Sequence, residues 1–265
     1  MDNIIYFMLV VIFFMCFFKK KESMSDVGIS INNIVDNVYV IAIPKRVNYM
    51  KKVMKHYGLK GEFIKTVMKN TLNKQDLINR NLLHSNYLRM EENFKADKPW
   101  YTGLTNGRIA CHLSHMKTLQ TFLNSNNKTC LIFEDDIKMI DKNETINNLI
   151  ESIKLLPKDW EYVNLGRCYD NCVTQTVYNN RIVKSDYALC RHAYIVNRDG
   201  AKKILDYCLP MKGYPGDNHY AEMVKKKLIN GYSTKEQIFF QNREELGTTI
   251  DNQGKVVTCG ANFRR

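Results

Sequence analysis

The sequence predicts an α/β fold: a mostly parallel central sheet of the nucleotide-binding type, flanked by helices. A strand at 37–43, a helix at 45–57 and a second strand at 62–67 form a βαβ unit near the start of the domain. A short apolar run at 130–133 is typical of a central strand that is buried on both faces. Three carboxylates follow this run directly. Open α/β sheets bind their ligands at the carboxyl ends of strands, so a ligand site is expected there.

An apolar segment without charge covers residues 4–18 and is followed by Lys19–Lys21. It is shorter than the roughly 20 residues of an untilted membrane span. It also lacks the basic start and the small-residue cleavage site of a signal peptide. We therefore expect a membrane anchor at 1–21, a linker at 22–36 and one globular domain at 37–265. The lysines favour a cytosolic domain under the positive-inside rule, but the orientation in the membrane is left open.

The composition is basic, with 39 Lys plus Arg against 27 Asp plus Glu and a net charge of +12. Such an excess favours anionic partners, including nucleotide diphosphates, phospholipid surfaces and acidic glycans. The basic residues are scattered and form no zinc-finger, RNP-like or basic-helix signature, so nucleic acid is not expected as a partner. A polyanion-binding module and a catalytically silent scaffold on the membrane are kept as alternatives to an enzyme.

Eight cysteines are present, and seven of them lie in the domain, so they cannot all pair within it. Cys111 and Cys130 lie in apolar runs and are expected to be ordinary buried thiols. Four other residues could be considered as zinc ligands: Cys168, Cys172, Cys190 and His192. Their spacing does not match that of structural zinc sites, so a zinc site is not favoured.

Glu134, Asp135 and Asp136 are candidate metal ligands. Because strand side chains alternate, Glu134 and Asp136 are expected on one side and Asp135 on the other. Adjacent carboxylates repel one another and are costly to bury unless a cation compensates. A divalent ion held by one or two of them and by diphosphate oxygens would do so. On spacing alone, a helix cap or a solvated turn is the simpler explanation, and further residues are needed to decide.

Two stretches upstream add to this site. The first predicted strand ends in a basic turn with Lys45 and Arg46, where a helix N-terminus can bind phosphate, although surface charges explain the pair equally well. Thr105 is expected to cap a helix that leads into the acidic strand. His112 and His115 lie one turn apart on that helix, and such a pair is more often used for packing or hydrogen bonding than for metal binding.

These stretches together carry a resemblance to a known family. The run 111–117, followed by 131–137, resembles glycosyltransferase family 25, which includes lipopolysaccharide glycosyltransferases and collagen galactosyltransferases. Further stretches in the family's order are similar as well: 38–46, 160–166, 191–205 and 213–217. The chain departs from the family at three positions: Ala42 replaces an Asn, Arg108 a Glu and Ala110 a Gly.

The resemblance implies a GT-A-type fold and an inverting transfer of a hexose, galactose or glucose, from a UDP-sugar. The acceptor would be a hydroxyl of a glycan, a lipid-linked glycan or a protein, bound by variable loops at 69–102 and 242–265. Mn²⁺ or Mg²⁺ would be held by Glu134, Asp135 or Asp136, with Asp136 as the expected direct ligand.

The resemblance also implies roles for other side chains. Asp217 is the candidate base, although it could instead cap a helix beginning at Asn218. His115 is assigned a catalytic role, orienting either the donor phosphates or the carboxylates. The expected donor-binding residues are Ile41, Ala42, Ile43, Arg46, Arg108, Ser114 and Asp135.

Overall fold

A computed structural model describes residues 31, 34–98, 101–170 and 174–247 of the chain. The anchor predicted at 4–18 lies outside these residues. Among the residues that are described, no helix has both the length and the apolar character needed to cross a bilayer.

The described residues form one sheet of eight strands with helices on both faces. The strands are β1 Asn37–Ala42, β2 Glu62–Lys65, β3 Thr129–Glu134, β4 Tyr162–Asn164, β5 Thr176–Val177, β6 Ile182–Lys184, β7 Ala193–Asn197 and β8 Gly231–Thr234. The α-helices are α1 Val47–Tyr57, α2 Lys74–Asn79, α3 Tyr87–Asp97, α4 Asn106–Leu123, α5 Lys142–Lys154, α6 Arg198–Cys208, α7 Gly216–Lys225 and α8 Arg243–Leu246. Short 3₁₀ turns cover Pro44–Arg46 and Lys69–Thr71.

The strands follow the order β2-β1-β3-β7-β4-β8-β6-β5 across the sheet. Strand β1 is parallel to both β2 and β3, and β4 is parallel to β8. Strand β7 is antiparallel to its two neighbours, β3 and β4. The predicted α/β fold with a central sheet between helices is therefore confirmed. The sheet itself is mixed, because β7 runs against the strands on either side and β6 is antiparallel to both β8 and β5.

The apolar character of β1 and β3 follows from burial on both faces. Val38 and Val40 pack into a core that also contains side chains of α1 and α5. Tyr39 and Ile41, which alternate with them, pack into a second core on the other face with side chains of α4, α6 and α7. A strand between two helical layers has no solvent-facing side and therefore no polar alternation.

Helix α4 begins where its cap predicts. The Thr105 hydroxyl accepts a hydrogen bond from the Arg108 N–H at 3.3 Å, which satisfies one of the free donors of the first turn. Met116 and Leu119 bury its inner face against the sheet. The helix ends at Leu123, and a short loop leads directly into β3.

The direction of β7 determines what meets the acidic end of β3. Because β7 is antiparallel to β3, its first residues lie at the edge where β1 and β3 end. The Glu134 N–H donates to the His192 carbonyl at 2.9 Å across this edge. Residues just before β7 are thereby brought beside the acidic triplet, although more than fifty positions separate them in the chain.

Candidate active site

The three carboxylates after β3 each meet a different neighbour. The strand ends at Glu134, and Asp135 and Asp136 lie in a turn, so strand alternation does not govern their directions. Glu134 contacts α4, Asp135 contacts the end of β1, and Asp136 contacts the segment before α8. The predicted grouping of Glu134 with Asp136 on one side is replaced by three separate environments.

Glu134 is hydrogen-bonded to His115 of α4, with 2.9 Å between Oε1 and Nε2. Burial raises the pKa of Glu134, but the hydrogen bond to His115 and the charge of Arg191 outweigh it and hold the pKa well below its usual range. Burial and Arg191 also lower the pKa of His115 to about 4. The ring is therefore neutral at pH 7, so Nε2–H donates to Glu134 and Nδ1 accepts from the Tyr194 hydroxyl at 3.0 Å.

Cys111, His115 and Glu134 form a cluster whose ligand atoms lie within 4.8 Å of one another. Burial and the charge of Glu134 raise the pKa of the Cys111 thiol well above its usual range. The thiol is therefore protonated and donates to Glu134, with 3.7 Å between Sγ and Oε1. Each of the three side chains thus has a hydrogen-bond partner within the protein, and the cluster as described is a hydrogen-bonded network.

Asp135 has partners for both of its oxygens. Oδ2 accepts from the Ile43 N–H at 2.9 Å, and Oδ1 accepts from Arg46 Nη1 at 2.7 Å. Burial raises the pKa of Asp135, and these two bonds act against that rise. Arg46 is itself buried, and its Nη2 donates to the carbonyls of Leu246 and Gly247. Asp135 therefore joins β3 to the turn after β1.

Asp136 is buried, and only one of its oxygens is bonded. Oδ2 accepts from Gln241 Nε2 at 2.9 Å, while Oδ1 has no hydrogen-bond partner among the described residues. Burial and the charges of Glu134 and Asp135 raise its pKa to about 7. A buried carboxylate oxygen without a partner is costly, so this oxygen is available to a ligand.

These observations test whether a divalent cation fits the triplet. Asp136 offers a free, buried oxygen and lies close to two further negative charges, which is an arrangement that a divalent cation stabilises. Mn²⁺ and Mg²⁺ prefer oxygen ligands, and this donor atom matches that preference. The residues therefore fit a cation bound at Asp136. Glu134 and Asp135 lie beside Asp136 and are already hydrogen-bonded to protein groups.

Asp217 lies in the first turn of α7 and is partly exposed. The helix begins at Gly216 with Pro215 at the capping position, so Asp217 is inside the helix and is not its N-cap. Oδ2 accepts from the backbone N–H of Cys190 at 3.0 Å. Asp217 is therefore held at the β7 side of the site.

Arg191 connects the candidate base to the acidic triplet. Its guanidinium is buried, lies over the Tyr220 ring and interacts electrostatically with both Asp217 and Glu134. A Cβ at Gly216 would clash with Arg191 Nη2 and His112 Nδ1, so a larger residue there would force these side chains to move. Nη1 has no hydrogen-bond partner in the part of the chain that the structure describes.

The remaining predicted donor-binding residues lie in two places. Ile41, Ala42 and Ile43 lie at the end of β1, where Ile41 is in register with Glu134. Ser114 is buried in α4, donates to the Ala110 carbonyl at 2.7 Å and accepts from the Val67 N–H at 2.9 Å. The guanidinium of Arg108 bonds to Thr102 and to the Gly103 carbonyl, and it lies over the Tyr101 ring. Their roles toward a donor stay predictions.

The cysteine cluster considered as a zinc site contains a disulfide. Cys168 and Cys190 are bonded to each other, with their Cα atoms 5.7 Å apart. His192 Nε2 bonds to the Phe239 carbonyl at 2.9 Å. Cys172 lies outside the described residues. The sulfurs of Cys168 and Cys190 are therefore oxidised and are not thiolates that could bind zinc.

Four residues of the site have no functional signal in the sequence. Gln241 and Asn242, which bond to Asp136 by side chain and by backbone, lie in a stretch without a motif. In the sequence, Arg191 is only the first residue of a strand stretch, and Tyr194 is only part of the apolar strand itself. The antiparallel direction of β7 brings these two residues to the site, whereas Gln241 and Asn242 reach it through the segment between β8 and α8.

The family model described as glycosyltransferase family 25 (LPS biosynthesis protein) matches residues 35–220, which is more than half of the chain. The chain belongs to glycosyltransferase family 25. The match includes β1, the acidic end of β3, Arg191 and Asp217, so the site described above lies within the family region.

Curated relatives of this family 25 chain include procollagen galactosyltransferases. The chain is 27% identical over 152 residues to procollagen galactosyltransferase 1-A of Xenopus laevis, covering 56% of this chain and 24% of that protein. It is 24% identical over 133 residues to procollagen galactosyltransferase 1 of Danio rerio, covering 49% of this chain and 22% of that protein. The chain thus spans about a quarter of the length of these relatives.

One solved structure aligns with 65% of this chain and 66% of its own. It is described as the crystal structure of a glycosyltransferase involved in the glycosylation of the major capsid of PBCV-1. The identity is 8% and the TM-score is 0.29, values too low to support an argument about fold or function.

Proposed function

We propose that this chain is a metal-dependent, inverting hexosyltransferase. It transfers galactose or glucose from a UDP-sugar to a hydroxyl of a glycan, a lipid-linked glycan or a protein. The observation that carries the proposal is the free, buried oxygen of Asp136 within a carboxylate triplet, in a chain of family 25. The galactosyltransferase relatives support a hexose as the transferred sugar.

Asp136 would hold Mn²⁺ or Mg²⁺ directly. When bound, the cation would stabilise the negative charge that grows on the leaving diphosphate. Glu134 is fixed by His115, and Asp135 by Ile43 and Arg46, so these two carboxylates keep their positions beside Asp136. This assignment gives His115 an orienting role toward Glu134.

Asp217 is proposed as the base. An inverting displacement requires a group that takes the proton of the acceptor hydroxyl as the new bond forms. The Asp217 carboxylate is partly exposed, and it is held at a defined place by the Cys190 N–H. One of its oxygens would accept the proton from the acceptor hydroxyl. Arg191 lies beside both Asp217 and Glu134 and offsets their charge.

The test of this proposal is UDP release from a panel of UDP-sugars with Mn²⁺ and candidate acceptors. We expect turnover of one donor by the wild type, loss of turnover in Asp136→Asn, and loss in Asp217→Asn with UDP binding retained. Asp206→Asn, which changes an exposed aspartate on α6, is the matched control and should behave as the wild type.

Two outcomes would contradict the proposal. An absence of turnover together with no UDP binding in calorimetry would favour the scaffold alternative. Salt-sensitive binding of polyanions without any turnover would favour the polyanion-binding alternative.

We also propose that the chain is held at a membrane by residues 4–18, with its orientation still open. Structural disulfides persist mainly in oxidising compartments, so the Cys168–Cys190 bond supports a lumenal or external domain. The positive-inside rule applied to Lys19–Lys21 favours the opposite side. Protease protection of the full chain in sealed vesicles would decide between the two orientations.

A further inference from the structure

The position of the Asp217 carboxylate depends on one backbone group outside its own helix. Oδ2 accepts a hydrogen bond from the Cys190 N–H at 3.0 Å. Cys190 lies just before β7, at the edge of the sheet where β3 ends. The direction of this N–H therefore helps to set the direction of the carboxylate.

The backbone of Cys190 has a conformation that few side chains adopt. Its φ is 71°, in the left-handed region that favours glycine. An ordinary residue remains there only where its surroundings hold it. For Cys190, two contacts do so: the disulfide to Cys168, and a hydrogen bond from Asn164 Nδ2 to the Cys190 carbonyl at 2.7 Å.

The other half of the disulfide is also fixed to the sheet. The Cys168 N–H donates to the Leu189 carbonyl at 3.2 Å, and the Leu189 N–H donates to the Tyr169 carbonyl at 2.9 Å. The segment after β4 and the segment before β7 are thus paired by backbone bonds and by the disulfide. Strand β4 is hydrogen-bonded to β7 in the central sheet. The disulfide therefore fixes the Cys190 backbone relative to that sheet.

We propose that the Cys168–Cys190 disulfide positions the catalytic carboxylate of Asp217 by holding the Cys190 N–H in place. Cys168 and Cys190 are then positioning residues, and the reaction itself uses neither sulfur. The inference rests on the proposed function, because it takes Asp217 as the base. It assigns to the cysteine pair a role in the rate of the chemical step, beyond closing a loop.

The experiment compares the full-length protein before and after reduction of the disulfide, with mass spectrometry to count free thiols. Donor binding is measured by calorimetry with UDP, and kcat and KM are measured with the UDP-sugar that the enzyme turns over. We expect kcat to fall by at least about tenfold, because a small misplacement of a reacting group can cost up to about a hundredfold. Affinity for UDP should fall much less than kcat, because Asp136 does not contact the disulfide and the Arg191 guanidinium is packed on the Tyr220 ring of α7.

Variants separate the disulfide from the backbone conformation. Cys168→Ala combined with Cys190→Gly removes the bond but keeps a residue that adopts positive φ readily. Cys168→Ala combined with Cys190→Val removes the bond and disfavours that φ. Both should have a lower kcat than the wild type, and the glycine variant should retain more activity than the valine variant. Reductant should not affect either variant, which controls for the other cysteines.

Three results would overturn the inference. Free thiols at both positions in the untreated protein would show that the bond is absent. A broken bond with unchanged kcat would show that it does not position the base. A loss of UDP binding equal to the loss of kcat would show a general effect on the fold. If Asp217→Asn keeps full activity, the base assignment fails first, and the inference fails with it.

Discussion

Two buried arginines flank the acidic end of β3, Arg46 after β1 and Arg191 before β7, and their surroundings differ. Arg46 donates to Asp135 and to two backbone carbonyls near α8. Arg191 lies over Tyr220 between Asp217 and Glu134, and its Nη1 has no hydrogen-bond partner within the described part of the chain. Both residues are almost fully enclosed, with 4% and 5% of their surface exposed.

The difference separates a structural side of the site, where the polar groups are paired, from a side that keeps unpaired buried polar groups. On the β1 side, every oxygen of Asp135 has a protein partner, so this side fixes the strands. On the β7 side, Arg191 keeps a free donor, and Asp136, between the two sides, keeps a free acceptor. Unpaired buried polar groups are costly in a folded protein and are typically retained where a ligand uses them.

The largest effect is expected from Arg46→Gln. The substitution leaves the buried carboxylate of Asp135 without its charged partner, and breaking a buried pair in this way costs about 3–5 kcal/mol of folding free energy. Urea unfolding measures this loss. Lys45→Gln changes the exposed neighbouring residue and should leave the unfolding free energy unchanged. A small loss in Arg46→Gln, similar to that of the control, would show that the β1 side is not a structural anchor.

Asp136→Asn should have opposite effects on activity and stability. Loss of the ligand should lower kcat by about a hundredfold or more, since a bound metal supplies several kcal/mol to the transition state. Stability should be equal or higher, because the amide carries no charge to bury beside Glu134 and Asp135. UDP release measures the change in kcat, and urea unfolding measures the change in stability. A destabilised Asp136→Asn variant would assign this carboxylate to the structural side.

Arg191→Gln is expected to weaken binding of the UDP-sugar. The guanidinium offers a free, charged donor to an anionic ligand, and such hydrogen bonds contribute about 1.5–3 kcal/mol. Calorimetry with UDP should show an affinity at least about tenfold lower, because 1.4 kcal/mol corresponds to a factor of ten. Its loss of stability should be smaller than that of Arg46→Gln. The reverse order of the two stability losses would remove the distinction between the two sides.

The smallest expected effect is the contribution of His219 to the pH dependence of folding stability. His219 accepts from the Lys212 N–H at Nε2, and its Nδ1–H donates to the Pro215 carbonyl. Burial, with the charges of Lys212 and Arg191, lowers its pKa to about 3, so the folded ring stays neutral. Below pH about 6.5 the unfolded chain binds a proton that the folded chain does not, which costs about 1.4 kcal/mol per pH unit.

The His219 contribution to stability should therefore fall as the pH decreases from 6.5 toward 3, whereas protonation of Asp136, with a folded pKa of about 7, acts in the opposite direction. Urea unfolding at pH 7.5 and 5.5 measures the net change in stability. His219→Gln should shift this change in favour of pH 5.5, because the His219 contribution is removed while the Gln oxygen can still accept from Lys212. His84→Gln, which changes a partly exposed ring, controls for the substitution. The same change in His219→Gln and the wild type would exclude His219 as a source of the pH dependence.

The sequence was sufficient for the elements whose signal is local. The apolar runs of β1 and β3, the cap at Thr105 and the helical spacing after Arg46 each depend on neighbouring residues, and the structure confirms these elements. The acidic triplet was found for the same reason. Its position at the end of a buried strand follows from composition and length alone.

The partners of the triplet could not be found in this way. Strand β7 is as apolar as β3, and nothing in its composition shows that it runs antiparallel between β3 and β4. That direction places Arg191 and Cys190 at the site. The strand also ends at Glu134, so strand alternation does not set the directions of Asp135 and Asp136, which lie in a turn. Long-range pairing and strand ends depend on packing that one sequence does not display.

The hydrogen bonds from Arg46 to Leu246 and Gly247 have a consequence for the order of folding. They join residues that are 200 and 201 positions apart in the chain. The other parts of the site come from separate stretches of the chain between these two ends. Contacts over such separations form slowly, because much chain entropy is lost before they can stabilise the fold. During refolding, competence to bind a nucleotide should therefore appear after the strands have paired, as one of the last properties the chain acquires.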